Sequence, residues 1–333
     1  MNSKVLGLFA SGSLALLLAA CGDNQSTADN QVIIYSNADD EAIEIMENVL
    51  DSNGYEDQYV IQSFGTSELG GKMLAEGTSI EADIVTMASY YIDSAQAEHN
   101  MFIDLSAEAS TLDTVSSYQL PVLGNVGSIF VNTQVIADKG LAMPKSIKDL
   151  IDPQYKDLIA IPNILDSSTG WLLVQAIIGE YGEEEGKQVF ADLIKNVGPH
   201  LESSGSGPIK KVQTGEVAVG FGLRAQAVDA NEEGLPIEYI DPTEGNFALV
   251  ESIAVIDQEV EEEEKKAKEM AELIAKEART ELIKQYPVAL YEGETVSAQD
   301  TPAYLKQWES TLTVDLLKEH ETFFKNAQTL GGK

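Results

Sequence analysis

The sequence predicts an α/β fold, because short runs rich in β-branched residues alternate with amphipathic helical runs from Gln31 onward. The first half contains three such strands, "VIIYS", "YVIQSFG" and "ADIVTMAS". The second half contains "LIAIPN", "EVAVGFG", "LPIEYIDP" and "FALVESIAVI". Strands that alternate with helices favour a largely parallel sheet. Small polar residues follow the strands, at the sheet edge where open α/β folds bind ligands.

The helical runs begin and end at residues that favour helix ends. "DEAIEIMENVLDSNG" ends near Gly54, whereas "TSELGGKMLAEG" opens with Thr66 and Ser67 and closes at Gly77. "DSSTGWLLVQAIIGEYG" and "RAQAVDANEEG" follow strands of the second half in the same way. We also expect a charged amphipathic helix over residues 261–285 and further helix over residues 302–328.

The composition describes a folded, strongly acidic protein. The chain has 333 residues, 44% of them hydrophobic, a length that favours two domains or lobes. With 21 basic and 55 acidic residues, its formal charge is -34, which argues against nucleic-acid binding. An anionic ligand would therefore have to be held by local hydrogen-bond donors.

The N-terminus has the features of a targeting segment. Residues 1–20 place Lys4 before an apolar run, and "LAAC" resembles the bacterial lipobox, in which cleavage precedes a cysteine that then receives lipid. Cys21, the sole cysteine, cannot pair within the chain. An ordinary secretory signal with an incidental cysteine is the alternative. Residues 21–30 are expected to form a flexible tether, so that the protein is lipid-anchored outside the cytoplasmic membrane.

The sequence offers little support for catalysis. It lacks the phosphate-binding motif G-x-x-x-x-G-K-[ST], the zinc motif H-E-x-x-H and the nucleophile motif G-x-S-x-G. His99, His200 and His320 are far apart in the chain and lack metal-ligand spacing. We therefore expect a protein that is not an enzyme and that uses no cofactor and no metal.

Small polar residues cluster at predicted strand ends and helix starts in both halves. Their hydroxyl groups, together with backbone N–H groups at helix N-termini, can hold an oxyanion without a large basic patch. Each cluster could instead only cap its helix or form a turn. The candidate ligand-binding residues of this kind are Ser36, Asn37, Gly65, Thr66, Ser67, Ser89, Ser167, Ser168 and Thr169, and a further cluster lies at residues 203–206.

The stretch "VAVGFGLRAQAV" allows two interpretations. Its G-x-G-x-x-A pattern fits a dinucleotide-binding turn, with Glu238 or Asp241 as the acidic partner of the ribose. It also contains Arg224, one of two arginines in the chain, whose guanidinium group suits a carboxylate, phosphate or phosphonate. A salt bridge with one of the many acids is the structural alternative for Arg224.

Several stretches together resemble the extracellular solute-binding proteins of ATP-driven (ABC) importers, in the group that includes ferric-iron, phosphonate and sugar-phosphate binders. These stretches are "VIIYSNADDEAIEIM", "GTSELGGKMLAEGTSIEADIVTMAS", "DSSTGWLL" and "TGEVAVGFGLRAQAVDANEEGLPIEYIDPTEGNFALVESIAVI". The resemblance implies a two-lobed, type II periplasmic-binding-protein fold with the ligand between the lobes. It also implies lobe 1 at residues 31–124 and 248–333, lobe 2 at residues 125–247, and membrane permease partners. We expect a monomer, because nothing in the sequence requires oligomerisation.

The resemblance leaves more than one ligand open. The iron binders use a histidine and an adjacent tyrosine pair as ligands. The matching positions here are Ser36-Asn37-Ala38 and Gly222-Leu223-Arg224, and the pair Tyr90-Tyr91 lies elsewhere, after the third strand. Because these iron ligands are missing, ferric iron is only the alternative ligand. An organophosphorus solute such as 2-aminoethylphosphonate or a phosphate ester is favoured, with Ser167, Ser168, Thr169 and Arg224 at the oxyanion. The ammonium partner would be Asp39, Glu68, Asp166 or Glu251. A secreted NAD-dependent oxidoreductase and a purely adhesive lipoprotein are the alternatives from other classes.

Overall fold

The protein is described by a computed structural model over residues 31–106, 110–258, 260–298 and 300–332. The expected signal peptide, the tether and Cys21 lie outside these described residues. Within them, no helix is both long enough and apolar enough to cross a membrane.

Strands and helices alternate along the described chain. The strands are β1 (Val32–Ser36), β2 (Tyr59–Ser63), β3 (Ile84–Ala88), β4 (Leu120–Asn132), β5 (Ile159–Pro162), β6 (Leu201–Glu202), β7 (Val219–Leu223), β8 (Ile237–Ile240), β9 (Asn246–Val255) and β10 (Leu305–Lys306). The helices are α1 (Asp40–Leu50), α2 (Thr66–Glu76), α3 (Ser89–His99), α4 (Thr133–Lys139), α5 (Ser168–Val197), α6 (Gly207–Gln213), α7 (Arg224–Glu232), α8 (Glu261–Leu273), α9 (Arg279–Gln285) and α10 (Val314–Gly331).

The strands form a mixed sheet in the order β2-β1-β3-β9-β4-β7-β5-β6, with β8 beside β4 and β10 beside β9. β1 pairs in parallel with β2 and β3, and β5 pairs in parallel with β6 and β7. The long strands β4 and β9 run antiparallel to each other and to β3, β7 and β8, whereas the short β10 pairs in parallel with β9. The predicted α/β fold is confirmed, and the antiparallel strands are those that link its two parallel groups.

β4 connects the two halves of the molecule. Its first part, up to Val126, pairs with β9, and its second part, from Gly127, pairs with β7. The sequence analysis did not predict β4, because all thirteen of its residues are buried and they therefore show no polar alternation. The change of partner lies close to the expected lobe boundary at residues 124 and 125, and the exact boundaries stay a prediction.

The C-terminal part of the chain packs against α5. We expected helix over residues 302–328, but α10 begins only at Val314, where Thr313 caps it. Trp171 of α5 is fully buried, and its Nε1 donates to Nδ1 of His320 in α10 over 2.7 Å. Burial lowers the pKa of His320 to about 4, so its neutral ring accepts this bond at ordinary pH.

Two neighbouring glycines of α2 provide a test of how α2 packs against Tyr91 of α3. A Cβ at Gly70 would overlap the ring of Tyr91, whereas a Cβ at Gly71 would meet no atom within 4 Å. We expect Gly70→Ala to lower the free energy of unfolding by about 1–3 kcal/mol through overpacking. Gly71→Ala should raise it by up to about 1 kcal/mol, because alanine favours the helix. Urea unfolding of both variants measures this; equal effects would contradict the contact with Tyr91.

Candidate ligand-binding cleft

A cleft of about 800 Å³ opens between the two halves of the molecule. It lies where strands and helix N-termini from both halves meet. Its lining includes Asn37–Glu41, Phe64–Thr66, Leu123, Asn125, Asp166–Thr169, Ser203–Ser206, Lys210, Leu223, Gln226, Asp229, Glu232, Glu233, Glu251, Gln285 and Tyr286. The lining contains the small polar candidates Asn37, Gly65, Thr66, Ser167, Ser168 and Thr169, the cluster at residues 203–206, and the proposed ammonium partners Asp39, Asp166 and Glu251.

Two helix N-termini converge in one corner of the cleft. α2 begins at Thr66 and α5 begins at Ser168, and the hydroxyl of Thr66 donates to Ser168 Oγ over 3.4 Å. Both residues are buried. The first turn of each helix carries backbone N–H groups without intrahelical acceptors, together with the positive end of the helix dipole. This corner therefore presents hydroxyl and amide donors from both halves to one point.

The loop at residues 203–206 adds further hydroxyl groups to this corner. A Cβ at Gly205 would overlap the hydroxyl of Thr169, so the loop backbone lies directly on the first turn of α5. Gly170 is required there for a similar reason, since its Cβ would overlap the backbone of Ile164. Ser167 caps α5 by accepting from the N–H of Thr169. The "DSSTG" sequence thus fixes how closely the loop at residues 203–206 and the turn after β5 approach the start of α5.

Glu251 occupies the opposite side of the same corner. Its side chain is 3% exposed, and its Oε1 accepts from Nδ2 of Asn37 over 3.3 Å and from Nδ2 of Asn125 over 3.1 Å. Burial raises its pKa to about 7, and the nearby charge of Asp39 adds to this shift. Its hydrogen-bond partners among the described residues are neutral amides, and a buried carboxyl without a cationic partner there is typical of a functional site.

Asp39 is a second carboxylate close to Glu251. It caps α1 by accepting from the N–H of Ala42, and it also accepts from the hydroxyl of Tyr286 and from Nε2 of Gln226 over 3.4 Å. Burial raises the pKa of Asp39, against the lowering effect of the bonds from Tyr286 and Ala42. The bond to Gln226 joins the start of α1 to α7, so it holds opposite walls of the cleft together.

The lining of the cleft is strongly acidic. Eight of its residues are Asp or Glu, whereas Lys210 is the one basic residue in the lining that the structure describes. Partial burial, and then the charges of Glu232 and Glu233, raise the pKa of Asp229 to about 6. The field inside the cleft favours a cationic group, and an anionic group depends on the local donors at the helix N-termini.

Three of the small polar candidates lie outside the lining. Ser36 is fully buried, and its Oγ accepts from the hydroxyl of Thr86 and the N–H of Ala38. The hydroxyl of Ser89 bonds to Ser252 and to the carbonyl of Val250. Ser67 follows Thr66 in α2 but does not line the cleft. Ser36 and Ser89 thus act as structural links at the ends of β1 and β3.

Arg224 also lies outside the lining, because its side chain turns into the protein. It is 3% exposed, its Nε donates to Asp241 over 2.9 Å, and its Nη1 donates to the carbonyl of Asp300 over 2.8 Å. Its guanidinium group also stacks over the ring of Tyr239. The structure therefore places Arg224 in a buried ion pair, which was the alternative interpretation of this residue.

The glycines of "VAVGFGLRAQAV" serve the packing of the sheet. In β7, Gly220 pairs with Phe130 of β4, and a Cβ at Gly220 or Gly222 would crowd the ring of Phe130. Asp241, considered above as a ribose partner, is occupied by Arg224 and by Nδ2 of Asn246. These contacts explain the G-x-G pattern without a dinucleotide.

The tyrosine pair is part of the core. Tyr90 and Tyr91 are buried outside the cleft lining, and Tyr90 packs edge-on against Trp171. Among the described residues, no three or more His, Cys, Asp or Glu side chains come together as a possible metal site.

Several cleft residues were missed in the sequence. Asn125 lies in β4, which was not predicted, and Gln226 follows Arg224 by two positions in α7. Gln285 and Tyr286 lie at the C-terminal end of the predicted charged helix, where we proposed no site residue. The remaining acid candidates differ in position, since Asp166 lines the cleft and Glu68 is exposed outside it. Only the folded chain brings these distant segments to the corner around Glu251.

The fold and the cleft define a two-lobed binding protein with a polar site between its lobes. A family model described as bacterial extracellular solute-binding protein matches residues 75–307, more than half of the chain, and the chain belongs to this family.

Two relatives match in sequence over part of their length. An uncharacterized protein of Haemophilus influenzae is 27% identical over 143 residues, which is 43% of this chain and 40% of that protein. The spermidine/putrescine-binding periplasmic protein of Salmonella typhimurium is 24% identical over 191 residues, 52% of this chain and 53% of that protein. The chain thus spans about half or less of the length of these relatives.

Solved structures of periplasmic binding proteins share the fold. AfuA from Actinobacillus pleuropneumoniae, with fructose-6-phosphate bound, has a TM-score of 0.67 and 19% identity, over 90% of this chain and 95% of that one. Iron-bound HitA from Pseudomonas aeruginosa has a TM-score of 0.68 and 19% identity, over 90% of this chain and 99% of that one. Likeness at this identity establishes the two-lobed fold, which the sequence analysis predicted.

The buried carboxyl of Glu251 predicts a pH-dependent stability. The folded protein holds the Glu251 proton more tightly than the unfolded chain does. The stabilisation of the fold by this proton is therefore complete below pH 4.5 and is lost as the pH rises through about 7. In the ligand-free protein, Glu251→Gln should therefore raise the free energy of unfolding at about pH 8 by on the order of 3 kcal/mol. Urea unfolding at about pH 5 and about pH 8 measures the difference.

Glu233→Gln is the matched control for this experiment. Glu233 lines the same cleft but is exposed, so its substitution should change stability by less than about 0.5 kcal/mol. A Glu251→Gln variant that is no more stable than wild type at high pH would show that the carboxylate is not desolvated.

The ion pair of Arg224 predicts a structural effect. Arg224→Met should lower the free energy of unfolding by about 3 kcal/mol, because it leaves the largely buried carboxylate of Asp241 without its cation. Ligand affinity of the folded variant should change little. Chemical unfolding and calorimetry measure the two effects, and a large loss of affinity at unchanged stability would return Arg224 to the ligand site.

Proposed function

We propose that this protein is the substrate-binding subunit of an ABC importer and captures a small organophosphorus solute, such as 2-aminoethylphosphonate or a phosphate ester. The observation that supports this most strongly is the meeting of the α2 and α5 N-termini, with Thr66 and Ser168 hydroxyls 3.4 Å apart. The protein binds its solute and breaks no bond.

The converging helices suit an oxyanion with several oxygen atoms. Each oxygen of a phosphonate or phosphate accepts more than one hydrogen bond, and helix N-termini bind such groups through backbone N–H groups and their dipoles. Ser168, Thr169 and Thr66 add hydroxyl donors from two helices. A site of this kind needs no arginine, which agrees with the buried ion pair of Arg224.

Hydrogen bonds across the cleft support capture by closure of two lobes. Thr66 bonds to Ser168, and Asp39 bonds to Gln226, so both ends of the corner join residues from opposite walls. A solute that adds hydrogen bonds to both walls would stabilise this arrangement relative to an open one. The permease subunits in the membrane would then receive the closed, loaded form.

A polyamine is a second candidate solute. The eight carboxylate residues of the lining favour a polycation electrostatically. The relative from Salmonella typhimurium is a spermidine/putrescine-binding protein. A polyamine would leave the donors of Thr66 and Ser168 without an anionic partner, which is why we place the organophosphorus solute first.

The proposed cellular position is outside the cytoplasmic membrane, attached through a lipid on Cys21. Membership of an extracellular family and the lipobox-like "LAAC" support this position. We propose that the mature protein acts as a monomer.

Substitution of the helix N-terminal hydroxyls tests the proposed solute. Thr66→Val and Ser168→Ala should each weaken binding of 2-aminoethylphosphonate by about tenfold or more, because each removes a hydrogen bond to a charged oxygen. Ser79→Ala, at an exposed position outside the cleft lining, is the control and should have little effect. Calorimetry on the protein without its signal peptide measures the affinities.

A thermal-shift panel distinguishes the candidate solutes. We expect phosphonates or phosphate esters to raise the melting temperature of the wild-type protein, because a ligand that binds only the folded state stabilises it. Stabilisation by putrescine or spermidine alone would favour the polyamine, and stabilisation by ferric citrate alone would favour iron. Either result would overturn the organophosphorus assignment.

A further inference from the structure

The groups around Glu251 are mostly hydrogen-bond acceptors. Asn37 and Asn125 both donate through Nδ2 to Oε1 of Glu251. Since an amide nitrogen must face a carboxylate oxygen, the Oδ1 atoms of both asparagines point away from it. Within the described residues, both Oδ1 atoms are buried and have no hydrogen-bond partner.

Two glutamine side chains extend this set of acceptors. The Oε1 atoms of Gln226 and Gln285 are also buried and without a partner in the described part of the chain, and both residues line the cleft. Buried acceptors are normally paired, because an unpaired one loses its hydrogen bonds to water. Asn125 is only 9% exposed, so its unpaired oxygen is a feature of the interior and not of the surface. Unpaired acceptors concentrated along one cleft indicate a donor that arrives with the ligand.

The carboxylates at this point add negative charge to the unpaired acceptors. Glu251 and Asp39 are close enough that the charge of Asp39 raises the pKa of Glu251. The donors that reach the two carboxylates are neutral amides, the hydroxyl of Tyr286 and a backbone N–H. A cationic donor would both relieve the repulsion and satisfy the acceptors.

We propose that Glu251, Asn37 and Asn125 form a subsite for a primary ammonium group of the transported solute. A primary ammonium has three N–H donors and no acceptor, which matches one carboxylate oxygen and two amide oxygens. Asp39 supplies a second negative charge beside this subsite. The inference rests on the proposed function, because it names the second functional group of the same solute.

The position of the subsite limits the length of the solute. Nδ2 of Asn37 lies 3.3 Å from Glu251 Oε1 and 3.1 Å from Thr66 Oγ1. The ammonium and oxyanion subsites are therefore adjacent and share Asn37. A two-carbon linker between the ammonium nitrogen and the phosphorus atom spans this separation, whereas a long polyamine would extend well beyond both subsites. The structure thus favours a short aminoalkyl phosphonate or phosphate ester.

Calorimetry with a pair of ligands tests the ammonium subsite. 2-Aminoethylphosphonate and ethylphosphonate differ only in the amino group, and each is titrated into wild type, Glu251→Gln and the control Glu98→Gln, whose carboxylate is exposed outside the cleft lining. We expect wild type and Glu98→Gln to bind the amine-bearing ligand about 10-fold to 100-fold more tightly, as for a charged hydrogen bond. In Glu251→Gln this preference should fall at least about tenfold, while ethylphosphonate binding is kept or improved.

The outcomes distinguish this inference from the proposed function. If wild type binds both phosphonates equally well, or if Glu251→Gln weakens both equally, the ammonium subsite is wrong and the organophosphorus assignment stands. If wild type binds neither phosphonate but binds putrescine, and Glu251→Gln weakens that binding tenfold or more, the subsite stands and the organophosphorus assignment fails. Binding of neither amine by wild type would overturn the subsite as well. For each of these outcomes, urea unfolding of Glu251→Gln checks that the variant is folded.

Discussion

The antiparallel pair of β4 and β9 is the contact on which the rest of the structure depends. These two strands are hydrogen-bonded to each other and to the strands of both halves, so they set the position of one half relative to the other. Asn125 on β4 and Glu251 on β9 lie within this pair, which places their side chains in hydrogen-bond contact. The ends of β1 and β2 and the start of α5 then close around them. The cleft therefore has a floor made of hydrogen-bonded strands and walls that include helix N-termini.

In this cleft, hydrogen-bond donors gather in one place and acceptors in another, only a few ångströms away. Helix N-termini and hydroxyl groups gather at Thr66 and Ser168, whereas carboxylates and amide oxygens gather at Glu251. A strongly acidic protein can hold an oxyanion in this way because short-range hydrogen bonds from fixed dipoles act where long-range charge is unfavourable. The same acidic field stabilises a cation beside the oxyanion. A zwitterionic solute would use both halves of this arrangement.

Glu251 also shows how a binding site can oppose stability. A fully buried carboxyl with a raised pKa destabilises the folded state once it ionises, and a well-packed neutral side chain would be more stable. The two arginines of the chain do not offset this charge, since Arg224 pairs with Asp241 and Arg279 pairs with Glu294. These buried pairs hold the loops near residues 241, 294 and 300 in place. The cationic side chains thus support the scaffold, and the carboxylate at the site is left for the solute.

The sequence by itself determined the local elements, because strand and helix patterns and caps such as Ser167 depend on neighbouring residues. It also determined the family likeness and the hydroxyl cluster at the start of α5. Only the tertiary structure decided the role of single polar residues. Asn37 and Glu251 are 214 positions apart, so their contact leaves no local pattern. Burial, which turned Arg224 inward and raised the pKa of Glu251, is a property of the packed chain and cannot be read from a residue's neighbours in sequence.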